Sequence, residues 1–271
     1  MKILISTLAF SNPELLDKCI SSWPKNVDKC VLWQGFRHPE MEPIINKHRD
    51  NLSIYLRRKN NWYVSGGWNI ILREAFLKND FDGVVLVGSD TAFLSGFWEE
   101  FIYKIEKYDF VESSHQFNCF YVSRKCFDIV GTFDENIVNY CEDDDYRLRV
   151  KLSGINYLHS KGNKDLFLHE YSSTVRKNPI YALKSRKSFA LNKQYMTEKW
   201  GGIEQSIPKW NPVYKTPFND PNWPLDKWVL NPQGRIARLW DNIIEDKDDD
   251  RLIHLVNALK YPDKYIYDYK T

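Results

Sequence analysis

Nothing in this sequence pairs its cysteines. The five, at 19, 30, 119, 126 and 141, form no C-x-x-C unit and are odd in number, which excludes a zinc ribbon or a disulfide framework as the organising device. Reduced thiols in a cytosolic protein are the expectation. Excess charge is missing too: 38 basic and 36 acidic residues leave a formal net charge of +2, so nucleic-acid binding by a global polycation is not the default. No apolar run reaches the ~18 residues that a membrane span needs. The chain enters a strand at Ile3 to Ser6 with no charged leader, cleavable apolar stretch or twin-arginine signal. A cytoplasmic protein is expected, peripheral if it works at a membrane at all. Residues 1–20 hold no glycine, so the Gly-rich phosphate loop with which a nucleotidyltransferase would open is absent. Internal repeats and low-complexity tracts are absent as well.

What is present suffices for a core: 271 residues, 43% of them hydrophobic, fit one large or two small domains. Strand-like and helix-like segments alternate, which predicts an α/β layer fold with a mostly parallel central sheet. The predicted strands are Lys2–Ser6, Lys29–Trp33, Leu52–Leu56, Gly83–Val87, Phe117–Val122 and Asn156–Leu158. Helices are predicted over Pro13–Ser22, with Asn12 as cap, over Gly66–Leu77 and over Gly96–Lys107.

The densest chemical signal is Gly131-Thr-Phe-Asp-Glu135 followed by four consecutive acids, Glu142, Asp143, Asp144 and Asp145. Such a run suits a helix N-terminus, where each carboxylate gains about 0.3–1 kcal/mol from the exposed N–H groups, with Asp145 and Arg149 paired at i,i+4. It also suits a general base at the mouth of a pocket, removing a proton from an incoming hydroxyl.

The order of these and other elements resembles the GT-A glycosyltransferases of the family-2 type. The later half of that pattern is matched by Gly131, Phe133-Asp134-Glu135, Glu142 to Asp145, Arg147 and Arg149, Gly154, and His169-Glu-Tyr-Ser-Ser173. The earlier half is matched by Lys2 to Thr7, Asn12-Pro-Glu-Leu-Leu16, the asparagines Asn61 and Asn69, and Gly88-Ser-Asp-Thr91 after an apolar strand. The resemblance covers residues 1–202 and ends at Lys199-Trp-Gly-Gly202. It implies a GT-A, Rossmann-like fold and transfer of a single sugar from a nucleotide-diphosphate sugar to a hydroxyl, with inversion. Asp143 matches the family's base, and Glu142 would orient the acceptor or the base. Asp90 matches the acid that holds a divalent cation, and His169 the histidine that completes that site; oxygen ligands suit Mg2+ or Mn2+, and the imidazole tilts the choice to Mn2+.

Departures from the pattern bear on the donor. Gly88 replaces the first acid of the D-x-D motif, leaving Ser89 to offer a weaker hydrogen bond. Thr7 or Ala9 stands in the loop that surrounds the base, Gln34 replaces an acid that contacts base or ribose, and Tyr63 takes a glycine position. Asn61 and Asn69 are read as lining the donor cleft or as helix caps. The Q-x-x-R-W of processive synthases is absent, since Gln194-Tyr-Met-Thr-Glu-Lys-Trp200 has other spacing and no arginine.

Composition changes after Gly202. Residues 203–271 are punctuated by prolines and rich in aromatics, too apolar for a disordered tail. An ordered appendage packed on the core is expected, with helices over Arg235–Ile244 and Asp250–Leu259. Trp200, Trp210 and Trp223 are the acceptor-side candidates, because aromatic faces stack on sugars or bases. The acceptor is read as a glycan or a lipid-linked saccharide, with a hydroxymethylated DNA base as the alternative and an inactive nucleotide-sugar-binding module as the reading from another class. Nucleotide, sugar and oligomeric state stay open.

Overall fold

The computed structural model describes residues 1–34, 38–58, 62–113, 116–134, 137, 140–159, 167–169, 189, 192, 193 and 196. Asn61, Trp200, Trp210, Trp223 and the expected appendage 203–271 lie outside the described residues.

Seven strands form the central sheet. In chain order they are β1 (Ile3–Ala9), β2 (Asp28–Gln34), β3 (Ile54–Arg58), β4 (Gly83–Val87), β6 (Phe110–Ser113), β7 (Gln116–Ser123) and β8 (Tyr157–His159), arranged in space as β3-β2-β1-β4-β7-β6-β8. All pair in parallel except β7, which runs antiparallel to both neighbours. Two further strands, β5 (Thr91–Phe93) and β9 (Phe167–His169), make a separate antiparallel ladder with Thr91 opposite His169.

The inner strands are near-continuous apolar runs because both faces are covered, as parallel sheets require. Side chains alternate between the two faces. On one side α1 (Pro13–Ser21), α2 (Met41–His48) and α4 (Phe97–Ile105) bring Leu16, Met41 and Phe101 onto Ile5, Val31 and Val85. On the other, α3 (Tyr63–Arg73), α5 (Arg124–Val130) and α6 (Glu142–Leu152) bring Leu72, Cys126 and Tyr146 onto Leu4, Leu32 and Phe120. Each such side chain fully buried contributes about 1.5–3 kcal/mol. The five cysteines are buried free thiols within this packing. Among the described residues no helix is long and apolar enough to cross a membrane.

Several elements differ from expectation for local reasons. Helix α1 begins at Pro13, yet the Asn12 side chain makes no capping bond: its backbone is left-handed, φ 62°, whereas a side-chain cap works from an extended backbone. Only the Asn12 carbonyl serves, accepting the Leu16 N–H at 3.1 Å. Helix α3 starts earlier than predicted and widens into a π turn over Glu74–Lys78. Helix α5 went unpredicted although Ser123 Oγ caps it, accepting the Cys126 N–H at 2.9 Å.

Candidate active site

The carboxyl ends of parallel strands are where an open α/β sheet receives ligands, and the chain builds an acidic turn there. After β4, Gly88-Ser89-Asp90 closes with the Thr91 N–H on the Gly88 carbonyl at 3.0 Å, while the Gly88 N–H bonds the Asn118 carbonyl of β7 at 2.8 Å. All three turn residues are half-buried. A Cβ at Gly88 would lie 3.0 Å from Asp90 Oδ1 and 3.4 Å from Thr91 Oγ1. A side chain at Gly88 would therefore have to displace the Asp90 carboxylate by a few tenths of an ångström. The Cys19 thiol lies beneath, 3.6 Å from the Gly88 carbonyl, and burial drives its pKa upward, so it stays a neutral spacer. The β5–β9 ladder sets the His169 backbone opposite Thr91, one residue from Asp90. Among the described residues no group of three or more His, Cys, Asp or Glu side chains converges on a metal position.

The expected donor residues sit deeper. Thr7 is fully buried, its hydroxyl beside the Cys19 thiol. Gln34, 2% exposed, spends its amide on the start of α3: Oε1 accepts the Trp62 N–H at 2.9 Å and Nε2 donates to the Tyr63 carbonyl at 3.2 Å. Tyr63 is left-handed there, φ 54°, which explains the need for a brace. Asn69, also fully buried, clamps the backbone of Phe133, donating to its carbonyl at 2.9 Å and accepting its N–H at 2.7 Å. Ser65 Oγ adds a bond to the Ile137 carbonyl at 2.8 Å. The face of α3 therefore holds the backbone of Phe133 and Ile137, shortly before the acids in sequence.

Helix α6 starts with all four acids in its first turn, so the helix-terminus reading of them holds. It does not exhaust them. Asp145 and Arg149 form a buried ion pair at 3.0 Å, and Arg149 Nη1 also donates to the carbonyls of Val130 and Thr132 at 2.9 and 2.8 Å. Asp144 accepts from Arg147 Nη1 at 2.9 Å. Glu142 and Asp143 remain, preceded by Tyr140 and Cys141, two consecutive left-handed residues with φ 69° and 68°. Each such backbone costs of order 1–3 kcal/mol and tends to persist at functional sites. Burial, then the Asp143 charge, pushes Glu142 up to about 8, and its Oε2 is enclosed without a hydrogen-bond partner. Asp143 is raised to about 6, by burial first and by Asp144 next, while Arg147 pulls it down. Near neutral pH the pair is one neutral acid beside one carboxylate, an arrangement suited to proton transfer.

Sequence reasoning missed several neighbours. Glu112 on β6, 1% exposed, takes the Arg147 guanidinium with Nη2–Oε1 at 2.6 Å and Nε–Oε2 at 3.0 Å. His159 Nδ1 lies 2.9 Å from the same Glu112 Oε2. The i,i+3 and i,i+4 spacing of Arg147 from Asp144 and Asp143 was a readable signal; the role of Glu112 needed the sheet. Tyr140, 36% exposed, and Phe189, 42% exposed, meet edge to face at 5.9 Å, and Asn192 Nδ2 holds the Tyr140 carbonyl at 2.7 Å.

Compared by sequence, the chain matches no protein-family profile and no curated protein. Compared by structure, it is similar to TarS of S. aureus, with a TM-score of 0.54 at 12% identity over 98% of this chain and 54% of that one. It thus spans about half the length of that protein. The TarS fragment 1-349 matches with a TM-score of 0.52 at 13% identity, covering 98% of this chain and 89% of the fragment. The mannosyltransferase PcManGT from Pyrobaculum calidifontis, solved in complex with GDP-Man and Mn2+, matches with a TM-score of 0.52 at 10% identity, over 99% and 82% of the two chains. The fold is that of the GT-A glycosyltransferases.

Proposed function

We propose that this chain is a glycosyltransferase that moves one sugar from a nucleotide-diphosphate sugar to an acceptor hydroxyl with inversion, with Asp143 as general base. The observation that carries the reading is Asp143 itself. It is a carboxylate 25% exposed, on the first turn of α6, raised toward neutrality and flanked by the neutral acid Glu142. A base with that affinity for protons is matched to a hydroxyl attacked near pH 7.

In the proposed reaction Asp143 takes the proton of the acceptor hydroxyl as that oxygen bonds to the anomeric carbon. The bond from that carbon to the diphosphate breaks on the opposite face, and the nucleoside diphosphate leaves with the electron pair. Protonated Glu142 donates a hydrogen bond and orients the acceptor beside the base. Asp90 and His169 would hold a divalent cation, their oxygen and imidazole donors suiting Mg2+ or Mn2+. When bound, such a cation supplies positive charge to the departing diphosphate. The GDP-Man and Mn2+ complex of the mannosyltransferase supports this donor class. Ser89, in the same turn, would offer the donor a hydrogen bond. For the acceptor we infer a glycan or lipid-linked saccharide, with Tyr140 and Phe189 as the described aromatic surface beside the base.

The test is transfer and donor hydrolysis across a panel of UDP- and GDP-sugars with Mn2+, comparing the unsubstituted chain with Asp143→Asn. The variant is expected to keep donor-induced thermal stabilisation and to lose about 10²–10⁴-fold in rate. Near-normal turnover in Asp143→Asn would overturn the assignment.

A further inference from the structure

The Arg147 guanidinium sits among three carboxylates but bonds only two of them. Nε and Nη2 fork onto Glu112, and Nη1 bonds Asp144. To Asp143 the nearest approach is Nη2–Oδ2 at 3.8 Å, an ion pair beyond hydrogen-bonding range. Among the described residues no side chain donates to Asp143, which is met instead by the first N–H groups of its own helix. The other charged and titratable groups around it are Glu142 and Asp144 on α6, Cys141 just before it with Lys193 acting on that thiol, Glu112 on β6 and His159 on β8.

Resting on the reading of Asp143 as the base, we propose that Arg147, braced by Glu112, is a positioning residue that lends Asp143 a positive charge while keeping guanidinium donors off its oxygens. A base in direct hydrogen bond with a guanidinium would have a lone pair occupied and would be a weak proton acceptor. A base with no cation nearby, buried among acids, would hold a proton and be no base at all. The bidentate grip of a carboxylate rooted in β6, itself held by His159, keeps Arg147 between these extremes. Without it, the long arginine side chain, already on Asp144, would be free to reach Asp143 as well.

The test is the titration of Asp143, followed by carboxyl ¹³C NMR of the full chain labelled at aspartate, with the signal assigned by its loss in Asp143→Asn. Arg147→Gln is expected to move the Asp143 midpoint up by a pH unit or more, with the acid limb of donor hydrolysis moving in step. Arg147→Lys should restore part of the shift. Because Arg147→Gln leaves the buried Glu112 with His159 as its remaining described partner, the double variant Glu112→Gln/Arg147→Gln serves as the folded alternative and is expected to show a smaller rise, since the lost Glu112 charge offsets part of the lost Arg147 charge. A midpoint that stays in place in a folded Arg147 variant overturns the proposal, even where Asp143→Asn abolishes transfer. Retained transfer in Asp143→Asn overturns the base reading instead, whatever the titration shows.

Discussion

Glu142 and Asp143 are chemically alike and adjacent, and their surroundings drive their proton affinities apart. The proposed mechanism needs Asp143 ionised and Glu142 protonated, so kcat/KM is expected to rise with pH through about 6 and to fall through about 8. A pH–rate series checks both limbs; a profile flat from pH 5 to 9 would remove the pair from the mechanism. The same shift has a thermodynamic side. Glu142 is raised from the ordinary 4.5, so its protonated form is favoured on folding. That contribution is whole below about 4.5 and is lost as pH climbs through about 8. Glu142→Gln should therefore raise Tm by on the order of 10 °C at pH 8.5 and change it little at pH 4.5, at about 2–4 °C per kcal/mol for a chain of this size. At this scale the sequence was readable where charge spacing is local: the Asp145–Arg149 pair stands at 3.0 Å. It was unreadable for Gln34 and Asn69, since an amide bonds a ligand or a backbone equally well and only the packing decides which.

Among the elements, α3 bears the most on the site without holding a reactive group. Gly67 lets it approach the sheet, since a Cβ there would lie 2.8 Å from both Gln34 Nε2 and Leu8 Cδ2. Asn69 then fixes the backbone of Phe133. Asn69→Ala leaves the buried Phe133 N–H and carbonyl without these partners, and an expected loss of about 1–3 kcal/mol follows. Urea unfolding measures it, and a loss under about 0.5 kcal/mol would mean that the clamp is idle. Strands and helices with continuous patterns were legible: Gly83–Val87 matches β4 end to end, and Pro13–Ser22 matches α1 to one residue. Short or polar ones were not. β6 carries Glu112 and Ser113 in four residues, and α2 contains Pro43 within its first turn, where a proline is tolerated but reads as a break.

For the whole molecule, the two covered faces of one sheet explain why fold class was readable from alternation alone, while the ladder between β5 and β9 was not, because three-residue strands carry no periodicity. The proposed cation site draws on both: Asp90 from the turn after β4 and His169 from β9. Chelator is expected to abolish transfer, and Asp90→Ala to lose the stabilisation that a nucleotide sugar confers with Mn2+. Full activity in excess chelator would assign the diphosphate to basic side chains.

The ladder between Thr91 and His169 also orders events in time. It closes a loop of 78 residues, 169 minus 91, so it ranks among the slow, non-local contacts of the fold. During synthesis at about 5–20 residues per second, β9 follows β5 by roughly 4–16 s. A nascent chain that has already laid down β1 to β4 and the Asp90 turn therefore waits for β9, and the proposed cation site is completed only when the last described strand arrives.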